Sequence, residues 1–174
     1  MNTIVLGGKN YVLPDISAWE RILVEDPYHS VKFSSQDVYV LGVHGKKKEF
    51  FTWYEAMELE EAFLRPNGWR LPNLEDWQTA IFKLKYRDGL IETLGLKPNG
   101  YLFADDVGKY NERLEKSSIS FNGTCGCYWS REEVSETNAY YVYLTPSGIP
   151  YISSPPGISF HHKDRGYSLR AVLS

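Results

Sequence analysis

The chain predicts an α+β fold in which two helices pack on a mainly antiparallel, twisted sheet with long loops. Three observations carry that expectation. Two stretches with apolar residues at helical spacing, each opened by a capping residue, fill positions 52–86, and a run of short strand-like segments fills 118–173. Helices followed by strands is the order of α+β domains, whereas a wound parallel sheet alternates the two. Aromatic residues make up 15% of the 174 positions, enough large side chains to fill one core, and a chain of this length leaves little room for a second domain.

Residues 3–13 alternate weakly and predict a hairpin turning at Gly7-Gly8. Ser17-Ala18-Trp19-Glu20 has the form of a capping box, which predicts a short helix ending near Asp26-Pro27. Strands are expected over 37–43 and 47–51, with Lys46-Lys47-Lys48 a solvated hairpin turn between them. Thr52-Trp53-Tyr54-Glu55 is a second capping box, the Thr52 hydroxyl accepting from the Glu55 amide while the Glu55 carboxylate reaches back. Behind it Trp53, Ala56, Met57, Glu60, Phe63 and Leu64 recur near helical spacing, apolar except at Glu60, until Pro66-Asn67-Gly68 stops the helix. Asn73 caps the next helix, with Asp76 at its third position and Leu74, Trp77, Ile81 and Leu84 as its apolar stripe. Residues 98–110 carry turn signals and acidic side chains and read as loop. Strands are expected over 118–121, 127–130, 139–144, 149–153 and 168–173. The segment Tyr140-Tyr141-Val142-Tyr143-Leu144, apolar on both faces, belongs centrally in a sheet.

A formal net charge of −3 and a pI near 5.8 argue against the basic stripe that nucleic-acid binding requires. No apolar run approaches the roughly 20 residues of a membrane-spanning helix, and the N-terminus lacks the basic and apolar regions of a signal peptide. The two cysteines, Cys125 and Cys127, flank Gly126. A bridge across one residue closes a strained ring, so free thiols are expected. Without a disulfide framework the chain is expected to be made in a reducing compartment, the cytoplasm, with the cell surface as the alternative where a leader has been removed.

Three stretches occur in an order that matches a known pattern. They are Thr52-Trp53-Tyr54-Glu55-Ala56, then Asn67-Gly68-Trp69-Arg70-Leu71-Pro72-Asn73-Leu74-Glu75-Asp76-Trp77, and a C-terminal set. That set comprises Gly126-Cys127-Tyr128-Trp129-Ser130, Asn138-Ala139-Tyr140-Tyr141-Val142-Tyr143-Leu144 and Gly166-Tyr167-Ser168-Leu169-Arg170-Ala171-Val172. Together they resemble the Fibrobacter-type major paralogous domain family, within the wider group of C-type-lectin-like folds that includes formylglycine-generating enzymes and the variable proteins of diversity-generating retroelements. The resemblance implies a C-type-lectin-like domain over residues 36–174 and leaves 1–35 as an N-terminal attachment segment of hairpin and short helix. The motif also makes physical sense by itself. Gly68 can supply a positive φ after a helix, Pro72 keeps Leu71 extended, and Asn73 caps the second helix. Trp69, Trp77 and Trp129 are large enough to form most of a small core. Arg70 and Arg170, beside these anchors, are expected to pair with carboxylates such as Asp76, or with backbone carbonyls, and so orient loops.

Exported members of the family usually carry a cysteine after the first helix and another where Ala171 stands, and this chain has neither. The departure argues against an exported lipoprotein or adhesin and for assembly in a cytoplasm, as in a component of a phage virion. Formylglycine-generating enzymes hold copper with a cysteine pair in a late loop. Here Cys125 and Cys127 precede Tyr128-Trp129-Ser130 instead, and the expected role is two small residues in a tight turn, although a thiolate pair suits a soft metal. His29, His44, His161 and His162 show no ligand spacing, and an adjacent pair points to opposite sides of an extended chain. Calcium-dependent lectins of this group commonly use Glu-Pro-Asn followed by Trp-Asn-Asp. Arg65-Pro66-Asn67 has arginine in place of the acid, and no Trp-Asn-Asp occurs. No phosphate-cradling glycine loop or nucleophile elbow is present. The expectation is therefore no catalysis, no cofactor and no metal, with calcium on the acidic pairs Asp105-Asp106 or Glu132-Glu133 left open.

Recognition remains. In retroelement variable proteins, side chains around the last strands form the ligand surface. The resemblance puts Arg131, Asn138, Tyr140, Tyr141, Tyr143 and Tyr151 there, with the loop Ser159-Phe160-His161-His162 held out by Pro155-Pro156-Gly157. The expected partner is a protein or carbohydrate ligand, beside other virion or surface-assembly subunits, with oligomerisation open and no nucleic acid or membrane span. A purely structural virion or surface-assembly subunit is the first alternative, and an oxygen-dependent enzyme of the formylglycine-generating type is the second. Alanine at Tyr151 or Phe160 is expected to weaken attachment.

Overall fold

The computed structural model describes residues 2–84, 89–149 and 157–174. It is α+β, but its strands form three antiparallel sheets rather than one. The chain opens with the expected hairpin, β1 (Thr3–Leu6) and β2 (Lys9–Val12). Gly7 and Gly8 turn it at φ of 56° and 81°, the region that a two-residue hairpin needs and most side chains resist.

A second hairpin stands where a helix was expected over 17–26. The Ser17 box does not form: the Ser17 amide donates to Asp15 Oδ1 (2.9 Å), and the Trp19 amide closes a turn on the Ile16 carbonyl (3.1 Å). β3 (Arg21–Glu25) then pairs antiparallel with β4 (Ser30–Asp37). Branched Ile22 and Val24 favour the strand, and Asp26 builds the turn, its Oδ1 accepting from the Tyr28 and His29 amides at 2.7 Å each. A local capping pattern thus loses to a partner strand one turn away. β4 also runs across position 35/36, so the attachment segment expected over 1–35 is not a separate piece of the fold.

The strand expected over 37–43 contracts to β5 (Val40–Leu41), followed by a 3-10 turn, Val43–Gly45, and β6 (Lys47–Lys48). The lysine run is not wholly solvated. Lys48 is fully buried, donating to the Phe50 carbonyl (2.6 Å) and Asn111 Oδ1 (2.5 Å) and pairing with Glu55 at 3.3 Å. α1 (Trp53–Leu59) has the expected reciprocal cap, Glu55 N to Thr52 Oγ1 at 3.1 Å and Thr52 N to Glu55 Oε1 at 2.8 Å. It continues through a π-helical turn, Glu60–Leu64, and a 3-10 turn, Arg65–Asn67, that ends at Gly68 with φ 84°. β7 (Trp69–Arg70) leads to α2 (Leu74–Leu84), where Asp76 N donates to Asn73 Oδ1 (2.9 Å) and Asn73 N to Asp76 Oδ2 (3.0 Å).

The loop expected over 98–110 contains instead α3 (Ala104–Arg113). Its sequence signal is weak for two reasons: Phe103 caps it without a side-chain hydrogen bond, and Tyr110 is its one buried residue, so no apolar stripe shows. No strand forms over 118–121; Ser120 makes only an isolated bridge to Tyr101. β8 (Gly126–Glu133) and β9 (Asn138–Leu144) form as expected, and β10 (Ile158–His162) adds a strand where a loop was expected. The strand expected over 149–153 falls largely outside the described residues. β11 (Arg170–Leu173) closes the chain.

The three sheets have orders β1-β2-β5-β6, β3-β4-β11-β7 and β10-β9-β8, with β9 central as its two-sided apolar pattern requires. Ser168 links the last two sheets by a parallel bridge to Tyr128. The expected tryptophan core divides in two. Trp69 and Trp129 join one cluster with α1, while Trp77 joins another with Phe33, Tyr128 and Val142 between α2 and the sheets. All three are buried, as are Leu71, Ser130 and Arg170.

Candidate functional site

Residues directly opposite one another in an antiparallel pair share a face. The registers across β8, β9 and β10 therefore sort the expected ligand residues. Cys127 with Tyr143, Trp129 with Tyr141 and Ser159, and Ala139 with His161 lie on one face. Tyr128 with Val142 and Ile158, Tyr140 with Phe160, and Asn138 with His162 lie on the other. The expected set does not form one surface: Tyr141, Tyr143 and His161 are together, while Asn138 and Phe160 are on the far side, Phe160 exposed and 6.4 Å from the Tyr140 ring. Arg131 is engaged structurally, its Nη2 and Nε meeting the buried Glu60 carboxylate at 3.1 and 3.3 Å. Tyr151 lies outside the described residues.

The face holding Tyr141 is aromatic, buried at its centre and half-exposed at its rim. Its floor is Trp129 and Tyr167, both buried, with ring centres 4.3 Å apart. Tyr141 packs against them at 6.4 and 4.8 Å. Tyr101 stands edge-on to Tyr167 at 5.7 Å and to Phe103 at 5.2 Å, and stacks on Phe121 at 5.6 Å with an interplanar angle of 21°. Phe121 is 52% exposed, and its backbone is held at φ 58°. A bulky side chain in that region is strained by roughly 1–3 kcal/mol, strain that concentrates at functional surfaces. Arg165 lies 5.6 and 5.0 Å from the Tyr101 and Phe103 ring centres, within cation–π range. The sequence resemblance missed Arg165, Tyr101, Phe103 and Phe121. Period two along β9 separates the tyrosines by face, but Tyr101 and Phe121 sit outside regular strands and Phe103 caps a helix, where no periodicity shows.

Electrostatics follow from burial. The Tyr101 and Tyr141 hydroxyls are pushed up by desolvation, and Tyr143 up to about 12 by desolvation and then by the Cys125 thiol beside it. His161 is pushed down by desolvation and then by the Arg165 cation, so its ring is neutral at pH 7. Cys125 and Cys127 are free and buried beneath this face. Burial raises the Cys127 thiol, while its hydrogen bond draws the Cys125 thiol down.

The remaining motif residues serve the scaffold, as their types suggest. Arg70 Nη1 donates to Asp76 Oδ2 at 2.6 Å, and His29 Nε2 meets Asp76 Oδ1 at 2.8 Å. Burial would raise that carboxyl, but these partners and the Asn73 amide hold it below its ordinary range. The Pro72 carbonyl accepts from the Arg131 amide (2.8 Å) and Ser130 Oγ (3.3 Å), tying the loop before α2 to β8. A separate cavity of about 440 Å³ lies between residues 13–21 and the end of α1, with Trp19 and Trp69 in its wall edge to face at 5.4 Å. Of the sequence-predicted residues it touches Trp69.

Among the described residues no helix is long and apolar enough to cross a membrane, and no group of three or more His, Cys, Asp or Glu is placed to hold a metal. The fold and site define an α+β domain presenting a half-exposed aromatic face. Comparison with known proteins returns no match: no family model, no curated protein and no solved structure aligns with this chain.

Proposed function

We propose that this protein is a non-catalytic binding and display module of the C-type-lectin-like group, a virion-associated decoration, fibre or tail protein that recognises its ligand through the aromatic face of β8, β9 and β10. The observation that carries this reading is the half-exposed ring cluster in which Tyr101 and Tyr141 pack on the buried Trp129–Tyr167 pair, with Phe103 and exposed Phe121 packed in turn on Tyr101. Rigid rings with polar tips present large contact area at little entropic cost, and a firm floor keeps them in place. Strain at an exposed Phe121 supports a role beyond packing. The buried carboxylates support a scaffold reading elsewhere, since Asp76, Glu60 and Asp37 are each saturated by arginine. Free buried thiols agree with assembly in a reducing compartment.

Binding to an array of neutral and acidic oligosaccharides tests the surface. Phe121→Ala is expected to weaken the retained glycan by about 2 kcal/mol, roughly thirtyfold, while Phe160→Ala on the far face changes it little. Equal binding by wild type and both variants would place the surface wrongly, and mass spectrometry of purified particles tests the setting. The formylglycine-generating reading requires copper on Cys125 and Cys127. Protein purified without chelators is expected to carry substoichiometric copper and zinc, and Cys125→Ser with Cys127→Ser to bind glycan as wild type does; one copper per chain would overturn the non-catalytic reading.

A further inference from the structure

We infer that Arg165 makes this face selective for a carbohydrate bearing a carboxylate, such as a uronic or sialic acid residue. The inference rests on the binding reading above and names the ligand class of that same surface. Four described arginines are not exposed: Arg70, Arg131, Arg165 and Arg170. Three of them hold a carboxylate, Arg70 that of Asp76 at 2.6 Å, Arg131 that of Glu60 at 3.1 Å and Arg170 that of Asp37 at 2.6 Å. Arg165 has none among the described residues; exposed Asp164 beside it makes no ion pair with it. Its guanidinium lies instead against the Tyr101 and Phe103 rings, which shed water from it without neutralising it.

The Arg165 fork meets only neutral acceptors, the Tyr101 and Tyr167 hydroxyls, and a half-buried guanidinium without a carboxylate of its own is a carboxylate receptor, because the planar fork matches two carboxylate oxygens at once. Neither of the neighbouring basic side chains adds a second free cation to it. Burial and then the Arg165 cation itself favour the neutral His161 ring, and Lys163, the nearest cation along the chain, is buried and committed to Glu133 and the Glu136 carbonyl. Phe121, stacked on the Tyr101 ring that Arg165 faces, leaves more than half its surface open, and Tyr141, Tyr143 and Ser159 bring hydroxyls along one face of the neighbouring sheet. A pyranose ring needs this combination, an aromatic surface for its C–H groups and hydroxyl partners for its rim. The whole chain is net negative at −3, so attraction for an acidic sugar is local to Arg165 rather than a long-range field.

The test titrates the full chain with oligogalacturonate, hyaluronan oligosaccharide and sialyllactose, each beside its carboxyl methyl ester, and with a tetraglutamate peptide. At least one acid is expected to bind at least about tenfold tighter than its ester. Arg165→Gln should bring the acid down to the ester's affinity and leave the ester within about twofold, with Arg165→Lys intermediate because an ammonium keeps charge and loses the fork. Equal binding of acid and ester, or equal loss of both in Arg165→Gln, overturns the inference. If that happens while Phe121→Ala still weakens ester binding roughly thirtyfold, the binding reading survives and only the selectivity falls. Tighter binding of tetraglutamate than of every sugar overturns the carbohydrate assignment. No binding by any probe overturns both.

Discussion

Arg170→Met is expected to lower the free energy of unfolding by about 3–5 kcal/mol, the cost of leaving a buried charge without its partner. The Arg170 side chain is 1% exposed and that of Asp37 9%. Nε and Nη2 donate to Asp37 Oδ1 at 3.0 and 2.6 Å, and the remaining donors satisfy the Ser34, Leu94 and Gly95 carbonyls. One guanidinium therefore joins β4, β11 and the segment leading from residue 94 toward β8. Methionine fills part of the volume but strands the Asp37 carboxylate with one neutral donor, the Tyr128 hydroxyl at 2.9 Å. For a domain of this size the loss corresponds to a fall in Tm on the order of 10 °C. Adding Asp37→Leu removes the orphaned charge and is expected to recover part of the stability, not all, because three carbonyls still lack donors. Urea unfolding of the single and double variants measures both effects. A single variant within about 1 kcal/mol of wild type would mean that the pair contributes no more than a surface ion pair does.

Features closed within a few residues are legible in the sequence. The Thr52–Glu55 and Asn73–Asp76 caps, the Gly7-Gly8 turn and the stop at Gly68 all form from local chemistry. The pairing of Arg70 with Asp76 is similarly local. What escapes the sequence depends on partners far along the chain. Ser17-Ala18-Trp19-Glu20 has the right residues for a cap, yet β4 offers the adjoining segment a better partner. Lys48 looks like one of three surface lysines until Asn111, 63 positions later, and Glu55 are folded onto it. The aromatic face is legible only in its strand-borne half. Alternation on β9 puts Tyr141 and Tyr143 together, but nothing in Asp164-Arg165-Gly166 announces a guanidinium lying over rings from residues 101 and 103.

Above pH 10 the protein is expected to lose stability steeply, with its buried tyrosines ionising only as the fold comes apart. Tyr11 is pushed up to about 12, first by burial and then by the Glu55 carboxylate, and its hydroxyl has no hydrogen-bond partner among the described residues. Tyr110, Tyr128 and Tyr167 are raised further, each chiefly by burial. An unfolded tyrosine gives up its proton near pH 10, whereas these hold theirs. The folded state then binds more protons than the unfolded one, so the stabilisation is complete below about pH 10 and disappears as pH rises toward the folded values. Each unit of upward shift amounts to about 1.4 kcal/mol per tyrosine. Lys48 acts in the opposite sense. Burial draws its ammonium down to about 8 against the pull of Glu55, so the folded chain sheds that proton first and stability rises between about pH 8 and 10. Tyrosinate absorbance and circular dichroism followed together from pH 8 to 12.5 separate these contributions. The buried tyrosines are expected to ionise only in step with the loss of dichroism. Lys48→Met should flatten the rise between pH 8 and 10 and leave the later fall unchanged. A single absorbance step near pH 10 covering all 13 tyrosines, with native dichroism throughout, would show that these hydroxyls are not held in the core.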